Sequence, residues 1–75
     1  MNILIADDHP LIRKGLRQIL SDSPHILSVF EAGDSHDIFR ALESRKIDVL
    51  ILDISLPGKD GMEILKDVKV YYPDL

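Results

Sequence analysis

Asp53 closes the apolar run Val49-Leu50-Ile51-Leu52 and is followed at fixed offsets by Pro57 and Gly61, while the acidic pair Asp7-Asp8 closes a second run, Ile3-Leu4-Ile5-Ala6. Carboxylates at the ends of two buried strands raise one another's cost of ionising unless a cation or hydrogen bonds compensate. The chemistry these residue types suit is the holding of a hard divalent metal by oxygen ligands. An acidic pair before a helix also has a plainer use, as a cap with a favourable dipole interaction. Asp7 and Asp8 alone would therefore not decide the matter. His9 lies beside them, yet magnesium prefers oxygen, so its expected role is structural, at the start of a helix. Pro57 and Gly61 read as loop shapers, Pro57 by fixing φ and Gly61 by permitting a conformation or close approach that a side chain forbids. His25 and His36 read as solvated surface residues, and Glu63 and Lys66 as part of a solvated face.

The elements that must position these residues follow from the apolar pattern. Asn2 to Ala6 is apolar on both alternating sets, as in a parallel strand covered on both faces. Pro10 suits a helix start, where its missing N–H is not needed, and Ile12, Leu16, Ile19 and Leu20 stripe a first helix. Residues 21–24 break it. Ile26 to Phe30 is a second strand. Ser35 is the expected N-cap of a second helix carrying Ile38, Phe39, Ala41 and Leu42. Lys46 to Leu52 is the third strand. A turn-rich loop follows, and then a third helix striped by Ile64, Leu65, Val68 and Tyr72 and stopped by Pro73. Packing by at least one of Tyr71 and Tyr72 is expected. The order βαβαβα predicts an α/β fold with a parallel sheet and right-handed crossovers. The loops after strands one and three then share one carboxyl edge, where Asp7, Asp8 and Asp53 converge.

Composition bounds the answer. The chain has 75 residues, no cysteine and a net charge of −4. It is one domain at most, 1–75, and a chain this short buries only about 60% of the surface its unfolded form exposes. There is no disulfide staple or thiolate zinc site. The acidic balance offers no general attraction to nucleic acid or anionic membranes, and no apolar run approaches a membrane span. With no basic leader in sight, a reducing cytoplasm is the expected setting.

Asp7-Asp8 after the first strand, together with Leu52-Asp53-Ile54-Ser55-Leu56-Pro57-Gly58-Lys59-Asp60-Gly61, resembles the receiver domain of two-component response regulators. The string Asp7-Asp8-His9-Pro10-Leu11-Ile12-Arg13-Lys14-Gly15-Leu16 further resembles the regulators with a LuxR-type helix-turn-helix output domain. The joint spacing, more than either motif alone, favours the metal reading over a mere cap. The resemblance implies a flavodoxin-like fold of strand order 2-1-3-4-5, of which this chain carries the first three βα units as (βα)3, expected order 2-1-3. It implies that Asp53 is the phosphoacceptor, taking a phosphoryl group from a sensor histidine kinase or a small phosphodonor. Asp8 and Asp53 match direct Mg²⁺ ligands, Asp7 a ligand acting through water, and Ser55 the position whose backbone carbonyl completes the protein's share; Mn²⁺ can substitute. Carboxylate attack on an anionic phosphoryl group is repulsive until the ion neutralises both. The family's hydroxyl residue after strand four and lysine after strand five have no counterpart here.

The sequence thus reads as a phosphoacceptor module rather than an enzyme, from a DNA-binding transcription regulator, with no nucleic-acid or membrane contact of its own. Phosphorylation of these 75 residues is expected to be slow or absent and the switch defective. A phosphatase of the haloacid dehalogenase type would place a second aspartate where Ser55 stands. The alternative is a self-associating fragment without signalling activity. A third strand with one unpaired edge and apolar surface beside the first helix invite a homodimer or larger assembly, and a symmetric solution orders the strands 2-1-3-3-1-2.

Overall fold

The computed structural model describes residues 1–56 and 60–75, so the expectations placed on Pro57, Gly58 and Lys59 lie outside the described residues. The elements are β1 (Asn2–Ala6), α1 (Pro10–Ser21), β2 (Ser28–Ala32), α2 (Ser35–Ser44), β3 (Val49–Leu52) and α3 (Gly61–Tyr71). The strands form one parallel sheet of order β2-β1-β3. Ile3 pairs with Val29 on one side and Val49 on the other, and Ala6 with Ala32 and Leu52. The register brings the carboxyl ends of all three strands to one edge.

The alternation of β1 divides the core. Leu4 and Ala6 face Ile38 and Leu42 of α2 and Ile64 and Val68 of α3. Ile3 and Ile5 face the other way with Val29, covered by Leu16 and Leu20 of α1. A strand apolar on both sides is what a sheet with helices on both faces requires. Tyr72 packs against the first cluster while Tyr71 is exposed, so one of the two tyrosines packs.

Several boundaries differ from the sequence reading. β2 begins at Ser28 rather than Ile26, because its pairing partner β1 runs to Ala6 and carries the register forward through Glu31 to Ala32. β3 begins at Val49 rather than Lys46. Residues 46–48 are instead clasped by Asn2, whose amide donates to Asp48 Oδ2 (2.7 Å) and whose side chain donates to the Lys46 carbonyl (2.9 Å). The cap of α2 is Asp34, which accepts from Asp37 N at 2.8 Å, and Ser35 is the first helical residue. Both residue types cap well, and local sequence does not choose between neighbours.

The stripe of α1 is buried only in part. Leu16 and Leu20 pack, but Ile12 and Ile19 are 49% and 70% exposed, and no residue of α1 is fully buried. A helix is about 10 Å across with its side chains, too narrow to seal a face three strands wide. Here α1 packs over β1 and β2. Beneath this face, Ile51 of β3 is left half-buried.

Candidate functional site

Asp7 and Asp53 are the first residues beyond β1 and β3, and parallel pairing holds both backbones. Asp7 N donates to Ala32 O at 3.0 Å and Asp53 N to Ala6 O at 2.9 Å. Asp7, Asp8, His9 and Asp53 each offer a ligand atom within 4.8 Å of the others. The expected convergence of the three aspartates is present. Ser55 lies against it, its amide and hydroxyl donating to Asp53 Oδ1 at 3.0 and 2.8 Å. These bonds hold the Asp53 carboxyl below the ordinary carboxylate value, the Ser55 amide contributing most and its hydroxyl next.

His9 is the N-cap residue of α1, with Pro10 following at the first helical position, as expected of a helix-start role. Its ring is less peripheral than expected. Nδ1 lies 2.5 Å from Asp7 Oδ1, 3.1 Å from Asp8 Oδ1 and 3.7 Å from Asp53 Oδ2. The hydrogen bond to Asp7, followed by the charge of Asp8, raises the imidazole above its ordinary value. Among the described residues, it is the one side chain able to take up a positive charge that is paired with these carboxylates, standing where like charges most need compensation. A small hard cation would compensate the same charges, and the all-oxygen donor set of the aspartates fits Mg²⁺.

Gly61 opens α3 and is buried. A Cβ placed on it would run into the Cα, C and O of Ile54, so the expected close approach is real and is made to the residue that follows Asp53. Asp60 caps the helix, accepting from Met62 N at 3.1 Å.

Sequence reasoning missed Arg13. Its guanidinium donates to the Asp7 carbonyl at 2.5 Å and, through Nε, to Glu31 Oε1 at 3.3 Å. The signal was its place on the stripe of Leu16 and Leu20, at i, i+3 and i+7, where a core-facing helix carries an apolar residue. The amide and hydroxyl contacts of Ser55 were also missed, since the reading considered only its carbonyl. A cleft lined by Arg17, Phe30 and Arg45 lies away from these residues, along β2.

Known proteins place this arrangement in context. The family described as response regulator receiver domain matches residues 3–75. The chain is 38% identical over 74 residues to the transcriptional regulatory protein YhcZ of Bacillus subtilis, covering 99% of this chain and 35% of that protein. It is 37% identical over 67 residues to the nitrate/nitrite response regulator NarL of Escherichia coli, covering 89% of this chain and 31% of NarL. Among solved structures, the isolated receiver domain of RcsB from Salmonella enterica, in the presence of the phosphomimetic BeF3⁻, superposes with a TM-score of 0.92 at 37% identity, covering 100% of this chain and 56% of that one. The chain spans about a third of the length of the curated regulators it matches. With three aspartates gathered at the carboxyl edge of a 2-1-3 parallel sheet, and a family match over nearly its whole length, this chain belongs to the response regulator receiver domain family.

Proposed function

We propose that this chain is the phosphoacceptor part of a two-component transcription regulator, with Asp53 the nucleophile and Asp7, Asp8, Asp53 and the Ser55 carbonyl the protein's share of a Mg²⁺ site. The observation that carries the proposal is the gathering of three aspartates from two strand ends, with ligand atoms within 4.8 Å of one another. When bound, the ion supplies charge neutralisation to an attacking carboxylate and an incoming phosphoryl group. The chain's own residues do the positioning. Ser55 donates twice to one Asp53 oxygen, which keeps the carboxyl ionised and leaves its second oxygen to attack. His9 holds the neighbouring charge in the metal-free state and must yield to a metal.

The donor is a sensor histidine kinase or a small phosphodonor, and the expected setting is the cytoplasm. Among the described residues, no helix is long and apolar enough to cross a membrane. DNA binding belongs to whatever accompanies this module in the regulators it resembles.

A second reading is favoured by one observation. β3 pairs with β1 on one side and with no described strand on the other, and Val49 is exposed beside it. Prepared alone, the 75-residue chain would self-associate through this edge. A phosphodonor assay run beside a sizing column separates the readings. Slow, Mg²⁺-dependent incorporation of phosphoryl groups from acetyl phosphate, abolished in Asp53→Asn, supports the receiver reading. Assembly without any incorporation supports the structural one.

A further inference from the structure

The carbonyl of Asp7 has a supply problem. β1 ends at Ala6, Pro10 has no N–H, and the first backbone bond of α1 runs from Arg13 N to His9 O at 3.1 Å. The donor for Asp7 O comes instead from the Arg13 guanidinium at 2.5 Å, in a partly buried position. The same guanidinium reaches Glu31 Oε1 of β2 at 3.3 Å, and Glu31 Oε2 is held by Arg17 at 2.8 Å. Gly33 leaves room for it, since a Cβ there would lie 3.1 Å from Arg13 Nη1. Asp7 is thereby fixed at three places. Its N–H is on Ala32, its C=O on Arg13, and its carboxylate accepts the His9 amide at 2.8 Å.

We propose that Arg13 is a positioning residue for the divalent-cation site, clamping the loop that carries Asp7 and Asp8 to β2 through the Asp7 carbonyl and Glu31. The proposal rests on the reading of the aspartates as that site. A solvent-exposed pair such as Arg17 with Glu31 contributes little. Arg13 differs in what its second donor holds. Half-buried on the stripe of Leu16 and Leu20, it satisfies a loop carbonyl that has no backbone donor among the described residues, and a planar fork meets two acceptors at once where an ammonium is a single point charge.

Field and geometry predict opposite signs. Removing a positive charge near a cation site should by field alone tighten cation binding. Losing the clamp should weaken it, because partners that orient metal ligands are typically worth about 10–100-fold in affinity. The test is Mn²⁺ titration of the 75-residue chain, following relaxation broadening of its amide resonances under conditions where each variant is folded. Arg13→Ala should bind about tenfold more weakly and Arg13→Lys should fall between. Arg17→Ala, which loses the same carboxylate partner but has no described hydrogen bond to the loop of Asp7 and Asp8, should bind as tightly as the parent or slightly more so. Equal or tighter binding by Arg13→Ala, or equal weakening by Arg17→Ala, would overturn the proposal. If Arg13→Ala does not fold, Arg13→Lys carries the comparison on the same terms. A parent chain that binds no Mn²⁺ refutes the metal reading instead. The clamp is then judged without metal, by faster amide exchange at Asp8 and His9 in the Arg13 variant, and unchanged exchange overturns it.

Discussion

The same substitution at two glycines should have opposite signs. Gly61 is buried at the first position of α3, and a methyl group there would meet three backbone atoms of Ile54. No rotamer relieves a clash with backbone, so α3 must move away from the loop behind Asp53, and overpacking of this kind costs about 1–3 kcal/mol. The propensity gain of alanine over glycine, about 1 kcal/mol in a helix interior, is smaller at a first helical residue. Gly15 lies inside α1 with nothing within 4 Å of its virtual Cβ, so Gly15→Ala should stabilise by about 0.5–1 kcal/mol. For a chain of 75 residues, total stability is roughly 4–11 kcal/mol, so either change is a large fraction of it. At about 4–8 °C per kcal/mol for a domain this size, Gly61→Ala should lower Tm by roughly 4–24 °C. Gly15→Ala should raise it by a few degrees. Thermal melts followed by circular dichroism at one fixed protein concentration measure both. A Gly61→Ala variant as stable as the parent, or a shift of like sign at both positions, would refute the packing argument. Gly61→Ala should also bind Mn²⁺ more weakly in its folded state, because Ile54 joins Asp53 to Ser55.

Other expectations are independent of that pair. In metal-free protein, His9 should titrate above its ordinary 6.5, so the stabilisation from its acidic contacts is full below that value and fades as pH rises through the raised one. Proton NMR of the ring reads this directly, and a titration below 6.5 would contradict the contact with Asp7. Asp53 behaves in the opposite sense. Its carboxyl is lowered by the Ser55 bonds, so that stabilisation is present above the ordinary 3.8 and lost as pH falls through the lowered value, and Ser55→Ala should move the loss to higher pH in an acid titration. Light scattering of the 75-residue chain at micromolar concentration should report self-association. Leu50→Lys should abolish it if the β3 edge is responsible, and a dimer that survives the change must use another surface.

Strand and helix existence were legible because β1 is apolar on both alternating sets and each apolar run ends in a residue that stops it, whereas the strand order 2-1-3 came from the resemblance to receiver domains and not from the pattern. Convergence of the aspartates followed from topology alone, since parallel strands joined by helices put alternate loops at one edge. Boundaries were less legible. β2 slid two residues because pairing with β1, which is long-range, outweighed the β propensity of Ile26. Asp34 displaced Ser35 as cap through a one-residue choice that local chemistry leaves degenerate. The partial burial of α1 could not be read from its stripe, which records what a helix can bury and not how much of a sheet lies beneath it. His9 and Arg13 escaped for a common reason. Residue type suggests a helix-start role for His9 and a solvated one for Arg13, and only the fold shows that one ring faces three carboxylates and one guanidinium faces a carbonyl with no backbone donor among the described residues.

If Asp7, Asp8 and Asp53 form one divalent-cation site in this chain, both loops must respond to the same ion. Mn²⁺ titration followed by amide relaxation tests this most directly. Broadening should be confined at low Mn²⁺ to residues 6–9 and 53–55, shared by both loops at one affinity and weakened together by Asp53→Ala. Broadening at neither loop, or at the two loops with separate affinities, would contradict it.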